Sequence, residues 1–387
     1  MVEARSAPPA QGARVARYDP KYLEPLARFY RLVWDPNATP EAIAAARADE
    51  ARHNLAEPGA EIPTYLFLRG GEVLGHLTTI PVQVLAAGRA RPGFWLIGFM
   101  VHPEHRNGPI GFLLMKEAVA ELPLVLSLTV QTGPQRIFQH MKFAHLGVVP
   151  NRIRPLRSAR MLARLDLDAL GAGATGARRR ILGIARASGV AAAAGTALDL
   201  ALRASAALRS PRGRHEIAEG VPSRDEIDAL WASARDALAP AAQRDAAYLV
   251  RRYETGAGSP YRWITARERG RLRGLLTLRE PRAEGDARLA GIRVATIADL
   301  LYDPREAAVG AALLRGAERS ALALSADALL CSSGRPDQLD LLARRGYLPA
   351  PGNLHFFLRD ASGELPGGSR LSDWWLSRGD MNSDGTF

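Results

Sequence analysis

The sequence predicts an α+β fold assembled twice: two domains, each with a central mixed sheet flanked by helices, joined by an alanine- and arginine-rich helical connector. Three observations carry this prediction. Segments of one half recur in the other in the same order. Each half runs from a helical pattern through hairpin strands to strand, helix, strand, helix. The stretch between the halves has a composition unlike either.

The helical patterns are "YLEPLARFYRLVW" (22–34) and "RDEIDALWASARDAL" (224–238). The hairpins are "YLFLRGGEVLGHL" (65–77) and "WITARERGRLRGLL" (263–276), each two strands around a polar or glycine-bearing turn. A buried strand, a proline-containing turn and a helix follow in "FWLIGFMVHPEHRNGPIGFLLMKEAV" (94–119) and in "RVATIADLLYDPREAAVGAALLRGAE" (293–318). "IFQHMKFAHL" (137–146) then answers to "LLARRGYLPA" (341–350). The pairs Gly75/Gly274, Val101/Tyr302 and Phe143/Tyr347 are 199, 201 and 204 residues apart, a nearly constant offset that argues for duplication. The expected divisions are a first domain at 1–163, a basic helical connector at 164–217, a second, degenerate domain at 218–360 and a tail at 361–387.

At 387 residues the chain is long enough for two ordinary cores and too mixed to be disordered. Its net charge of +11 is almost wholly arginine, because Lys21, Lys116 and Lys142 are the only lysines among 51 basic residues. Such a ratio reflects base composition and weakens arguments from arginine counts. The excess is also uneven: residues 154–214 hold twelve arginines against three aspartates. That segment reads as a solvated linker, a membrane-surface helix or a nucleic-acid patch, and its lack of aromatics between 165 and 217 disfavours base stacking. The single cysteine, Cys331, excludes a disulfide scaffold and a cysteine-rich zinc site, and fits a reducing cytoplasmic compartment. The first twenty residues show no apolar run of a secretory signal. The longest charge-free run near the connector, 187–198, is 12 residues, whereas a spanning helix takes about 20, so at most a peripheral membrane contact is expected.

The turn "VHPEHRNGPIG" (101–111) lies between the buried strand and the helix. A helix start there presents unpaired N–H groups and a positive dipole end, which binds phosphate without any cationic side chain. The turn resembles the pyrophosphate loop of the GNAT acyltransferase superfamily, Gln/Arg-x-x-Gly-x-Gly/Ala, over Arg106, Asn107, Gly108, Pro109, Ile110 and Gly111, after a V-x-P turn at Val101, His102 and Pro103. Pro109 stands where the family has its first glycine, and supplies no N–H; proline is tolerated at a helix start, with Gly108 expected to give the close approach. The resemblance covers nearly the whole chain outside connector and tail, but the loop motif occurs once. It implies an acyl-CoA, most simply acetyl-CoA, as co-substrate, no metal, and transfer of the acyl group to the amine of a small molecule. The backbone at Met100 or Val101 would meet the thioester carbonyl.

A helix-four tyrosine serves as general acid in many relatives; Phe138 occupies its place here. His140 and His102 are the nearest titratable groups by motif position, although His140 also reads as a solvent-facing helix residue and His102 and His105 as surface residues or aids to phosphate binding. None shows the H-E-x-x-H spacing of a metal site. Ser127 and Thr129 share one face of a strand and line a cleft or simply pack. Asp299, at the second-half position of Gly98, is either an acceptor-site carboxylate or a partnered structural one. In the second half, Glu306 near the helix start opposes pyrophosphate binding.

"QRDAAYLVRRY" (243–253) and "WWLSRGDMNSD" (374–384) resemble elements of tandem-GNAT proteins linked to bacterial surface polysaccharides, which points to an amino-sugar acceptor. Trp374 and Trp375 read as docking residues, while Asp380 and Asp384 remain open. The competing classes are an aminoacyl-tRNA-dependent transferase of FemABX type and an inactive acyl-CoA-binding scaffold.

Overall fold

The computed structural model describes residues 12–129, 133–164, 183, 185, 187–253, 259–283, 289–363, 365 and 370–381. The chain is a mixed α+β protein that divides into two compact units, and neither is a contiguous block. The first takes in Met1–Val84, Arg91–Leu146 and His355–Leu365; the second takes in Leu85–Ala90, Gly147–Leu354 and Pro366–Phe387. The boundaries expected at 163, 217 and 360 are therefore not those along which the chain separates in space. Residues 165–182, which the connector reading included, lie outside the described residues.

In the first unit the sheet runs β1 (Arg14–Arg17), β2 (Thr64–Arg69), β3 (Glu72–Ala86), β4 (Arg89–Val101), β5 (Leu124–Thr129), then the end of β13 (Leu348–Asp360). The pairs β1–β2, β2–β3 and β5–β13 are antiparallel, whereas β4 and β5 are parallel. Helices α1 (Leu23–Val33) and α2 (Pro40–Arg52) enclose one core with Tyr18, Leu66 and Leu68. Helices α3 (Ile110–Glu121) and α4 (Gly133–His140) cover another, built on Tyr65, Phe67, Phe94, Leu114 and Phe357. Thr39 caps α2 through its hydroxyl, with Pro40 at the first position, a common way to start a helix.

The second unit contains the rest of β6 (Ala144–Pro155), then α5 (Ser158–Arg164), α6 (Val190–Arg209), β7 (Glu216–Glu219), α7 (Arg224–Leu238), the two-residue β8 (Ala241–Ala242) and α8 (Ala246–Arg252). It continues with β9 (Tyr261–Glu268), β10 (Arg271–Arg282), β11 (Val294–Tyr302), α9 (Ala307–Ala323), β12 (Ala328–Ser332) and α10 (Pro336–Arg344). The sheet order is β6-β12-β11-β10-β9-β7, with β11–β12 parallel. Ser223 and Glu226 form a reciprocal capping box at the start of α7.

Gly75 and Gly274 each lie against a helix. A Cβ on Gly75 would fall 2.6 Å from Ile110 Cγ2 and 2.9 Å from Leu114 Cδ1. A Cβ on Gly274 would fall 2.6 Å from Val309 Cγ1 and 2.8 Å from Leu313 Cδ1. In each unit a glycine lets the helix seat directly on the hairpin strand.

Helix α6 differs from expectation. It is 20 residues long and, by length and composition alone, apolar enough to cross a membrane. Its one carboxylate is nonetheless tied down: Asp199 accepts from Ser158 N–H and Oγ at the start of α5. Gly195 meets the Ala159 backbone so closely that a Cβ would lie 2.4 Å from its nitrogen.

Candidate active site

Parallel pairing between β4 and β5 is confined to Phe94↔Val125 and Trp95↔Leu126. Beyond it β4 continues to Val101 with residues 97–101 all half-buried, leaving one side of a central strand open. The divergence has a local cause. Gly98 sits in the left-handed region at φ +57°, and a Cβ there would lie 3.2 Å from both His76 Cε1 and Thr78 Cγ2.

His76 holds this bend. Gly98 C=O accepts the His76 Nδ1–H at 2.7 Å, which leaves Nε2 as acceptor for the Tyr30 hydroxyl at 2.9 Å. The ring is fully buried, and burial pushes its pKa down to about 4, so it is neutral at physiological pH. Tyr30, edge-on to the His76 ring, is itself raised by burial. Sequence reasoning missed this Tyr30–His76–Gly98 chain, because only the left-handed glycine makes sense of it.

The turn after β4 is a single 3-10 turn, Pro103–His105, running into α3. Arg106 and Asn107 are exposed, and Arg106 makes no ion pair among the described residues. Gly108 does not play the part expected of it: its N–H is already donated to His105 C=O at 3.0 Å, so it is not free for a ligand. Pro109 is the N-cap rather than the first helical residue, and its C=O accepts from Leu113 N–H at 2.9 Å. The proline therefore removes none of the first-turn donors, which belong to Ile110, Gly111 and Phe112. No side chain caps them and no acidic residue stands in the first turn. Ile110 is buried beneath Gly75 and offers only its N–H. Gly111 is small for packing, since a Cβ would lie 2.9 Å from Phe99 Cζ and 3.3 Å from Ile137 Cδ1.

His102 N–H bonds to Leu74 C=O on the β3 side. Alternation along the strand then turns the Val101 N–H, and not that of Met100, towards the opening. The Met100 side chain packs on the α1–α2 core instead.

His140 is exposed, with Nδ1–H donated to the Arg136 carbonyl of its own helix at 2.8 Å. Ser127 and Thr129 are buried, on the face of β5 that Val125 gives to the core under α3 and α4. Phe138 is packed between Phe143 and Phe357, with centroids 4.9 and 4.8 Å away. A pair not foreseen lies at the end of β5. His355 on β13 is opposite Thr129, its Nδ1 is 3.2 Å from Nε2 of His145, and the two rings stack. Burial, then the neighbouring His145, lowers the pKa of His355. The sequence separation of 210 residues hid this pair.

His102, Glu104 and His105 each place one ligand atom within 4.8 Å of the others. This is a donor set of metal-binding type that the spacing rule did not register. His102 Nδ1 in it already accepts from Glu104 N–H at 3.3 Å.

Asp299 is in the second unit, and the structure corrects its reading as a catalytic candidate. It is buried and fully engaged, accepting from Arg244 Nε at 2.9 Å and from the Tyr253 hydroxyl at 3.0 Å. Arg244 also holds Asp380 through Nη2 at 2.9 Å, and the Tyr248 hydroxyl donates to Asp380 at 3.1 Å. The two distant motifs thus meet, through Arg244, Tyr248 and Tyr253 of the first and Asp380 of the second, in one closed ionic core. Trp374 and Trp375 are buried, and Trp375 Nε1–H donates to Leu300 C=O at 3.0 Å. Asp384 lies outside the described residues.

The acetyltransferase (GNAT) family is matched over residues 26–136. Among curated proteins no sequence matches the chain. Among solved structures, the chain is similar to a probable N-acyltransferase of unknown function from Enterococcus faecalis V583 (13% identity, 91% of this chain and 73% of that one, TM-score 0.56). It is also similar to a GCN5-related N-acetyltransferase from Anabaena variabilis (12%, 92% and 75%, TM-score 0.56). A third is Saccharomyces cerevisiae N-myristoyltransferase with bound myristoyl-CoA (12%, 93% and 85%, TM-score 0.53). At these identities the likeness is one of fold.

Proposed function

With residues 26–136 a GNAT-family acetyltransferase domain and the chain in the acyl-CoA N-acyltransferase fold of that superfamily, we propose that the first unit binds an acyl-CoA and passes its acyl group to a primary amine. The observation that carries this reading is the end of β4–β5 pairing at Trp95/Leu126, followed directly by the uncapped start of α3. In that arrangement the first-turn N–H groups of Ile110, Gly111 and Phe112, with Arg106, receive the diphosphate. The thioester lies along β4, its carbonyl oxygen accepting from Val101 N–H. His76 and Tyr30 are positioning residues that fix the bend at Gly98; a buried histidine with a pKa of about 4 is too weak a base for an ammonium proton. We assign proton removal to the His145–His355 pair, where lowering of the His355 pKa favours the base form. Thiolate leaves without a general acid at Phe138.

Acetyl is the donor first expected, and the myristoyl-CoA-bound neighbour makes a long-chain donor the alternative to set beside it. The acceptor is a small amine, with amino sugars first to screen. We read the second half as a duplicated copy that no longer binds CoA; the matched glycine packing supports this. The buried thiol of Cys331, pushed up to about 12 by burial, suits a reducing cytoplasm. Leu198, Leu200 and Leu208, exposed on α6, are the residues through which a peripheral membrane contact would run.

Calorimetric titration with acetyl-CoA and myristoyl-CoA, alongside Arg106→Glu, tests the reading. Binding weakened about tenfold or more by the variant is expected. Failure of well-folded protein to bind either donor would sink it and favour the aminoacyl-tRNA alternative. Donor binding without turnover of any amine would favour the scaffold reading, to which Phe138 lends support.

A further inference from the structure

The second unit contains a cavity of about 570 Å³ that acyl transfer does not use. Arg154 of β6, Arg203 of α6, Arg315 and Arg319 of α9, and Arg345 just past α10 line it with a single carboxylate, Glu318. That leaves an excess of four positive charges around one small space. Arg315, Glu318 and Arg319 lie in the C-terminal half of α9, so the cavity is not the counterpart of the α3 cradle, which in this unit would sit at Ala307.

The wall does not satisfy itself. Arg154 is 3% exposed, yet its Nε and Nη1 are buried without a hydrogen-bond partner among the described residues. Arg345, also buried, uses Nη1 on Ser210 Oγ and Nη2 on Glu318, but its Nε is unpaired. His215, on the same wall, keeps a buried Nδ1 unpaired too. Glu318 Oε1 is likewise buried without a partner, and each such unpaired polar atom bears a desolvation cost. Burial accordingly lowers the pKa of Arg154 and Arg315.

We propose that this cavity is a binding site for a diphosphate-bearing small anion. Guanidinium forks match phosphate oxygens in pairs, and a trianionic group at neutral pH offsets most of the excess charge. Apart from His215 the lining has no aromatic ring, so the site reads phosphate rather than a stacked base. Its volume admits a diphosphate with a sugar-sized substituent. The arginine excess of residues 154–214, a linker feature in the sequence, here becomes part of a ligand wall through Arg154 and Arg203.

The test is calorimetry of the full chain with inorganic diphosphate, ADP and orthophosphate at constant ionic strength, in wild type, in Arg203→Glu/Arg319→Glu and in Arg106→Glu. Arg203 and Arg319 are exposed, so their reversal leaves the fold intact. Expected are one diphosphate per chain in Arg106→Glu, where the α3 site is weakened, orthophosphate about tenfold weaker there, and a loss of about tenfold or more at this cavity in the double variant. Arg106→Glu should leave this binding within about twofold. ADP much tighter than diphosphate would assign a nucleotide as the source; equal affinities would assign free diphosphate, and either supports the site. No binding, equal binding of orthophosphate, or loss through Arg106 with retention in the double variant would overturn it.

Discussion

The two units handle a parallel strand pair followed by a helix in opposite ways. In the first, β4 leaves β5 after Trp95 and residues 97–101 stay half-exposed beside a free helix start. In the second, β11 pairs with β12 over Val294–Thr296, and all nine of its residues are buried. What covers it is visible: Trp375 on Leu300 and Tyr302, and Arg244, Tyr253 and Asp380 around Asp299. The helix start differs as well, since Glu306 is the N-cap of α9 and is ion-paired with Arg273. One position shows the exchange. Gly98, in the left-handed region on β4, is matched by the sequence offset to Asp299, which anchors a salt-bridged plug. An open strand end and a closed structural core thus both follow from strands whose pairing stops short.

The comparison breaks first at Arg244. Arg244→Ala leaves Asp299 and Asp380 as buried, uncompensated carboxylates and should cost about 3–5 kcal/mol, read as a fall in the urea midpoint. If donor binding by the remaining folded protein changes as well, the division of labour between units is wrong.

The next largest effect is pH-dependent. His76 has a folded pKa of about 4, below the model-compound value of 6.5, so the neutral form is favoured by folding. Its contribution is present above pH 6.5 and is lost as pH falls towards 4, roughly 3 kcal/mol in all. Urea titrations across that window should show the loss in wild type and a flatter profile in His76→Gln.

Gly98→Ala forces a side chain into a left-handed φ and against His76, at about 1–2 kcal/mol. Because the bend shapes the opening, donor affinity should fall further than stability, which calorimetry and melting together separate. The smallest effect is expected at Pro109. Since it is the N-cap, Pro109→Gly returns at most one N–H and should tighten acetyl-CoA by about 1 kcal/mol or less. A larger gain would mean that the proline had removed a principal donor.

The α+β order, the glycine-bearing hairpins and the strand–turn–helix at 101–111 were legible, because hydrophobic periodicity and turn residues are local signals. What escaped was non-local or conformational. His355 reaches Thr129 and His145 only through the return of the chain, and Arg244 finds Asp380 across 136 residues. A positive φ at Gly98 leaves no trace in composition. Gly108 and Gly111 looked like ligand glycines, yet one closes a turn on His105 and the other makes room for Phe99.

The return of residues 355–360 to β5 also governs how the protein is made. During synthesis the first unit lacks its last strand until residues 355–360 have emerged, after most of the second unit, so it does not finish ahead of the second as domains in series do. Until then β5 presents an unpaired edge, bearing "LVLSLT", to any other nascent chain. Fragments ending before His355 should therefore associate rather than yield a free-standing first unit, and the two units mature together.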